Sequence, residues 1–147
     1  MTGGAPEGDS TLRLVGLPEL RSCELSGQPN GAMNISIDAA CIAGAPRLQS
    51  LRLHFDKTLR LRPGSLQQLT ALTSLSLLEC GLRSVPAEVA SLSATLRVLD
   101  LSHNARLQFD VASVVTILRC GRLEKLGVYK PDIGVWNDMP PAVWLLE

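Results

Sequence analysis

Blocks with leucine, or a close substitute, at their first, fourth and sixth positions recur along this chain at almost constant spacing. The clear copies begin at Leu48, Leu72, Leu96 and Leu123, so their first leucines are 24, 24 and 27 residues apart. A weaker copy begins at Leu20, which lies 28 residues before the first clear one. A constant period in this range predicts a stack of similar units that share one continuous core, because a single unit cannot bury its apolar face alone.

Each block has the residue alternation of a β-strand. In the copy that begins at Leu96, Leu99 and Leu101 point to one side of the strand, whereas Val98 and Asp100 point to the other. Each block therefore predicts a short strand with one leucine face and one mixed, mostly polar face.

The segments that return from one block to the next predict short helical elements. Pro86 suits the first position of a helical turn, where its missing N–H costs nothing. Val89 and Leu92 are three residues apart, so both are expected to face the core. In the following repeat Asp110 is a suitable N-cap, so we expect a true helix there.

The repeats resemble a known family. Leu96-Arg-Val-Leu99-Asp-Leu101-Ser-His-Asn104 matches in full the consensus of the leucine-rich repeat family, and the copy ending at Cys80 matches the form with cysteine at the ninth position. The return segment at Pro86 resembles that of intracellular members. The resemblance implies an α/β fold: a leucine-rich repeat solenoid with parallel strands on the concave face and short helices or turns on the convex face.

The resemblance covers residues 12–147, which we expect to form about five repeats after a flexible lead-in at residues 1–11. Residues 12–17 are a candidate short leading strand. Residues 139–146 overlay residues 85–92, so the chain is expected to end on the return half of a fifth repeat. Trp136 and Trp144 would either shield the end of the core or form a docking patch. The array is either a small complete one or a fragment of a longer one.

Composition narrows the class of partner. The chain has 14 basic and 14 acidic residues and only five aromatic ones, so neither a phosphate-binding basic patch nor a base-stacking surface is expected. No apolar run approaches the ~20 residues of a transmembrane helix, and the first ten residues do not resemble a signal peptide. We expect no contact with nucleic acid or membrane.

The four cysteines occupy separate places in the repeats rather than a paired framework, so free thiols and a reducing compartment are expected. This favours a cytoplasmic location. By family resemblance alone, a cytoskeletal or ciliary location is the alternative.

Two groups of residues could carry chemistry, but the sequence pattern favours neither. Cys80 and His103 could come close as a nucleophile and its base, but Cys80 takes the place of a buried turn residue and no third group would orient the histidine. His54 and Asp56 lack any further spacing typical of a metal site. We therefore expect no enzymatic activity, no metal and no cofactor.

The expected binding surface is the concave face, formed by the third, fifth and seventh positions of the blocks. The large or charged residues there are the predicted partner-binding residues: Glu24, Arg52, His54, Leu78, Asp100 and Tyr129. Arginine and tyrosine are favoured at interface hot spots. The sequence predicts a protein-interaction scaffold. The alternative is a structural spacer in a longer repeat protein, whose strand face is merely solvated. We expect the chain to be a monomer or to self-associate weakly through the C-terminal edge of the sheet.

Overall fold

The computed structural model describes residues 10–11, 14, 16–26, 35–37, 42–54 and 59–128. These residues form an α/β structure with parallel sheets, which is compatible with leucine-rich repeats. The strands are β1 (Ser10–Thr11), β2 (Ser22–Ser26), β3 (Ile35–Ile37), β4 (Ser50–His54), β5 (Leu59–Leu61), β6 (Ser74–Leu78), β7 (Val98–Asp100) and β8 (Lys125–Gly127). A 3₁₀ helix (Ala87–Leu92) and the helix α1 (Val111–Arg119) complete the described elements. Within these ranges no helix is long and apolar enough to cross a bilayer.

The repeated blocks form one five-stranded parallel sheet in the order β2-β4-β6-β7-β8. Equal positions of successive blocks lie side by side: Leu51 pairs with Leu75, Leu75 with Leu99, and Leu99 with Leu126. The weak first copy is in the same register, since Cys23 pairs with Leu51. The repeat alignment that the sequence predicts is therefore confirmed for these five strands.

The core consists of rows of aligned leucines. Residues at the first, fourth and sixth block positions are buried in the central strands: Leu48, Leu51, Leu53, Leu72, Leu75, Leu77, Leu96, Leu99 and Leu101. Cys23 and Leu126, on the two outer strands, are only partly buried. Each fully buried leucine contributes about 1.5–3 kcal/mol relative to an exposed one, so the rows are the main source of stability.

A second, three-stranded parallel sheet in the order β1-β3-β5 was not predicted. Ile35 pairs with Leu59, and the Arg62 side chain donates from Nε to the Ser36 hydroxyl at 3.1 Å. The strand predicted at residues 12–17 is wrong for the residues described there. The leading strand lies earlier, at Ser10–Thr11, and Gly16 has a φ of +68°, a left-handed conformation that interrupts a strand.

The return segments match the predicted capping. Val89 and Leu92 of the 3₁₀ helix that follows Pro86 are buried. Asp110 is the N-cap of α1, where its carboxylate accepts a hydrogen bond from the Ser113 N–H at 2.8 Å. Both expectations are confirmed.

Neighbouring return segments are also joined to each other. The Val85 N–H donates to the Ser113 hydroxyl at 3.1 Å, and the Cys120 thiol lies 3.9 Å from the Val89 carbonyl oxygen. α1 is therefore held against the preceding 3₁₀ helix. The expectations for Trp136, Trp144 and residues 139–146 lie outside the described residues.

Candidate interaction surface on the five-stranded sheet

The candidate site is the face of the five-stranded sheet opposite the leucine rows, which we call the open face. Strand alternation places the third, fifth and seventh block positions there, and the register aligns them into rows. The first row is Ser22, Ser50, Ser74, Val98 and Lys125, the second is Glu24, Arg52, Ser76, Asp100 and Gly127, and the third is Ser26, His54 and Leu78.

Five of the six predicted partner-binding residues are described, and all five lie on this face. Glu24, Arg52 and His54 are exposed, whereas Leu78 and Asp100 are half-buried. Tyr129 lies outside the described residues. The structure brings the first four into adjacent positions on β2, β4 and β6. Asp100 lies two strands away from Arg52, which corresponds to a separation of about 9–10 Å between the strands.

Two of these charged side chains contact each other. Arg52 Nη1 lies 3.9 Å from Glu24 Oε2, and more than half of each side chain is exposed. An exposed pair of this kind contributes at most about 1 kcal/mol to stability, because water and salt screen the charges. Its main effect is to set a negative and a positive group side by side at one end of the second row.

A second side-chain contact on this face involves a residue that the sequence did not indicate. His54 Nε2 lies 3.2 Å from Oε2 of Glu79, in the turn after β6. Glu79 has a left-handed φ of +50°, and His103, at the same place one repeat later, has +62°. The alternation of side chains ends with β6 at Leu78, so the sequence pattern could not predict that the Glu79 side chain lies beside His54.

Asp100 obtains its position from a neighbouring glycine. A Cβ placed on Gly127 would lie 2.6 Å from Asp100 Oδ1, which is closer than real Cβ contacts come. The same oxygen accepts a hydrogen bond from the Ser102 N–H at 3.0 Å. Gly127 therefore leaves the space in which the carboxylate lies, and that role was not apparent from the sequence.

The open face is not uniformly solvated. Ser76 lies in its second row but is only 6% exposed, and Ser102 is buried as well. Ser76 lies between Arg52 and Asp100 in its row, and both neighbours are longer side chains. Ser76 is therefore a small, buried position between two charged residues of the same row.

Asn104, in the turn after β7, joins this turn to the one that follows β6. Its Oδ1 accepts hydrogen bonds from the N–H groups of Cys80 and Leu82, and its Nδ2 donates to the carbonyl oxygens of Leu77 and Leu101. Asn104 is itself buried, so these bonds satisfy backbone groups that water cannot reach.

Cys80 has the structural role that was predicted for it. Its thiol donates to the carbonyl oxygens of Leu53 at 3.5 Å and Leu78 at 3.3 Å, and the residue is buried. A buried, hydrogen-bonded thiol of this kind does not have the exposure of a nucleophile.

The remaining titratable groups offer little chemistry. Burial raises the pKa of the Cys23 and Cys120 thiols, so both stay protonated near neutral pH. Cys23, Cys80 and Cys120 are free cysteines. In the described part of the chain no three metal-ligand side chains come together, and Asp56 lies outside that part.

Comparison with known proteins gives relatives that are similar to most of this chain. The chain is similar to the volume-regulated anion channel subunit LRRC8E of Mus musculus, with 30% identity over 128 residues, or 87% of this chain. Its similarity to the Homo sapiens protein is 31% over 120 residues, or 82% of this chain. The chain spans 16% and 14% of the length of these relatives. No family model matches it.

Proposed function

We propose that this chain is a leucine-rich repeat solenoid that acts as a protein-interaction module, without enzymatic activity, and binds its partner through the open face. The observation that carries the proposal is the in-register five-stranded sheet, because it aligns Glu24, Arg52, His54 and Leu78 on one surface. The similarity to the LRRC8E proteins supports the repeat class of the module.

The open face has the features of a pre-formed protein-binding surface. Its backbone is fixed by parallel pairing on both sides of β4, β6 and β7, so binding requires little ordering. The half-buried Leu78 lies beside His54, and Arg52 and Glu24 lie on the same face. Charges on such a face mainly steer encounter and select partners. A partner with an acidic group opposite Arg52 and a basic group opposite Asp100 would complement the second row.

Ion conduction is not part of the proposed function. The relatives are named as anion channel subunits, but the similarity covers a small part of each of them. We propose that the shared part is the repeat module alone. Its location is proposed to be cytoplasmic, and the free thiols of Cys23, Cys80 and Cys120 support a reducing compartment.

A structural spacer is the second candidate function. It is favoured by the relatives, in which the similar segment is one part of a much longer chain. In a spacer, the open face would tolerate charge reversal without any loss of association, whereas in a binding module it would not.

The test compares two charge reversals in the full chain. Proteins captured by the wild type are compared quantitatively with those captured by Arg52→Glu and by Arg60→Glu, which alters an exposed arginine on β5 in the other sheet. The binding proposal expects at least one specific protein to be lost with Arg52→Glu and retained with Arg60→Glu. Identical capture by all three proteins would favour the spacer.

A further inference from the structure

α1 carries an apolar stripe that faces solvent. Val111 is 82% exposed, Val115 is 43% exposed and Leu118 is 51% exposed. Their spacing of four and three residues places them on one side of the helix. Among the described residues, the other large hydrophobic side chain that is exposed is Leu17. Single exposed apolar residues are ordinary, but an aligned group of three indicates a contact surface.

The stacking of repeats does not cover this stripe. The opposite side of α1 is the one that is buried, through Ser113, Thr116 and Ile117. In the preceding 3₁₀ helix the exposed positions are instead Ala87 and Ser91, which are small or polar. Among the return segments that the structure describes, the apolar outer face therefore belongs to α1.

The charges at the two ends of α1 suggest what covers the stripe. Asp110 is at the N-terminal end, Arg119 is at the C-terminal end, and residues 111–118 between them carry no charge. Two copies of the helix packed in parallel would bring like charges to the same level. In an antiparallel pair the Asp110 end of one copy lies beside the Arg119 end of the other, and the helix dipoles also attract.

We propose that two copies of this chain associate through α1, with the two helices packed antiparallel about a two-fold axis near Val115. Val115 lies next to the midpoint of the stripe, so its counterpart in the second copy faces it across the axis. Val111 lies 3.5 residues from that midpoint, so the two copies of it are separated by roughly 10 Å along the helices. The interface is short, so the dimer is a weak and reversible one. This surface is separate from the open face.

Cysteine cross-linking tests the arrangement of the two helices. A disulfide requires Cα atoms within about 7 Å. In the proposed dimer Val115, near the axis, meets this requirement, and Val111, at the end of the stripe, does not. Under mild oxidation, Val115→Cys should form a covalent dimer, while Val111→Cys and the wild type, with its native cysteines, should not. Equal cross-linking of Val111→Cys and Val115→Cys would overturn the antiparallel arrangement.

Sedimentation of the full chain over a concentration series tests the surface itself. Leu118→Asp should raise the concentration of half-dimerisation at least about tenfold. Leu17→Asp, which alters an exposed leucine away from α1, should leave it unchanged, and Arg119→Glu should raise it more at low salt than at high salt. Circular dichroism confirms that each variant is folded. A wild type that stays monomeric throughout, or a concentration of half-dimerisation that Leu118→Asp leaves unchanged, would overturn the proposal.

Discussion

Arg52 and Glu24 lie side by side on adjacent parallel strands, with Arg52 Nη1 3.9 Å from Glu24 Oε2. They occupy the same position of two blocks whose first leucines are 28 residues apart. Had the weak first copy been shifted by one residue, the two side chains would have been on opposite faces. The contact therefore fixes the register of the least regular repeat.

The first prediction concerns the strength of this pair. A double-mutant cycle with Glu24→Gln and Arg52→Gln should give a coupling energy below about 1 kcal/mol, because both groups are exposed. The Arg47–Glu19 pair, with its nitrogen and oxygen 2.6 Å apart, is the matched comparison and should couple more strongly. Urea denaturation measures both. A coupling for Glu24 and Arg52 that exceeds that of the shorter pair would contradict this ranking.

The second prediction separates the two faces of the sheet. Leu99→Ala should lower the free energy of unfolding by ~2–5 kcal/mol, because it opens a cavity in the leucine rows. Ser22→Ala, on the exposed end of the first row, should change it by under ~0.5 kcal/mol. Ser22 is a better control than the buried Ser76. Similar denaturation midpoints for the two variants would show that the assignment of faces is wrong.

The leucine rows and the caps could be predicted because they depend on short-range patterns. The alternation around Leu99 and the capping residue Asp110 are visible within a few residues of sequence. β3 and β5 are three residues each, which is too short for alternation to distinguish a strand from a loop. The contact between Asp100 and Gly127 depends on register between strands, and the position of Glu79 depends on a left-handed turn. Neither has a local signal.

The third prediction is a pH dependence at the start of α1. The hydroxyl of Ser113 and then its N–H hold the pKa of Asp110 below its usual value. The stabilisation is therefore complete above the unfolded-state pKa of about 3.9 and is lost as pH falls through the lower pKa of the folded state. Asp110→Asn keeps a cap but removes the charge, so the wild type should lose its advantage over this variant at acid pH.

Thermal denaturation of both proteins at neutral pH and over the acid range measures that difference. Asp110→Ala, which removes the cap as well, is the second variant and should be less stable than Asp110→Asn at every pH. A wild-type advantage that stayed constant on acidification would mean that Asp110 ionises alike in the folded and unfolded chain.

The fourth prediction concerns the C-terminal edge of the five-stranded sheet. β8 pairs with β7 on one side, and in the described part of the chain no strand pairs with its other side. Because an uncovered edge favours pairing with another chain, we expect weak self-association there. Melting of the Leu118→Asp variant at several concentrations isolates this effect from contacts through α1. A concentration-independent, monomeric transition would instead indicate that residues 133–146 cover the edge.

The last prediction concerns partner binding through the open face. The double variant Arg52→Ala with Tyr129→Ala should weaken binding to the partner recovered by capture, because it removes two side chains of the types that dominate interfaces. Arg52 is exposed, and among the described ion pairs its partner is Glu24. Binding by the wild type should also weaken with salt, since the Debye length falls to about 3 Å at 1 M.

The salt series separates the two substituted residues. If Arg52 acts by its charge, the loss caused by Arg52→Ala alone should shrink as salt rises, whereas the loss caused by Tyr129→Ala alone should persist, because contact area is not screened. Calorimetric titration of the purified partner into each variant gives these affinities, with circular dichroism to establish folding. Unchanged affinity in a folded double variant would move the binding site away from the open face, to the return segments or the ends of the repeat stack.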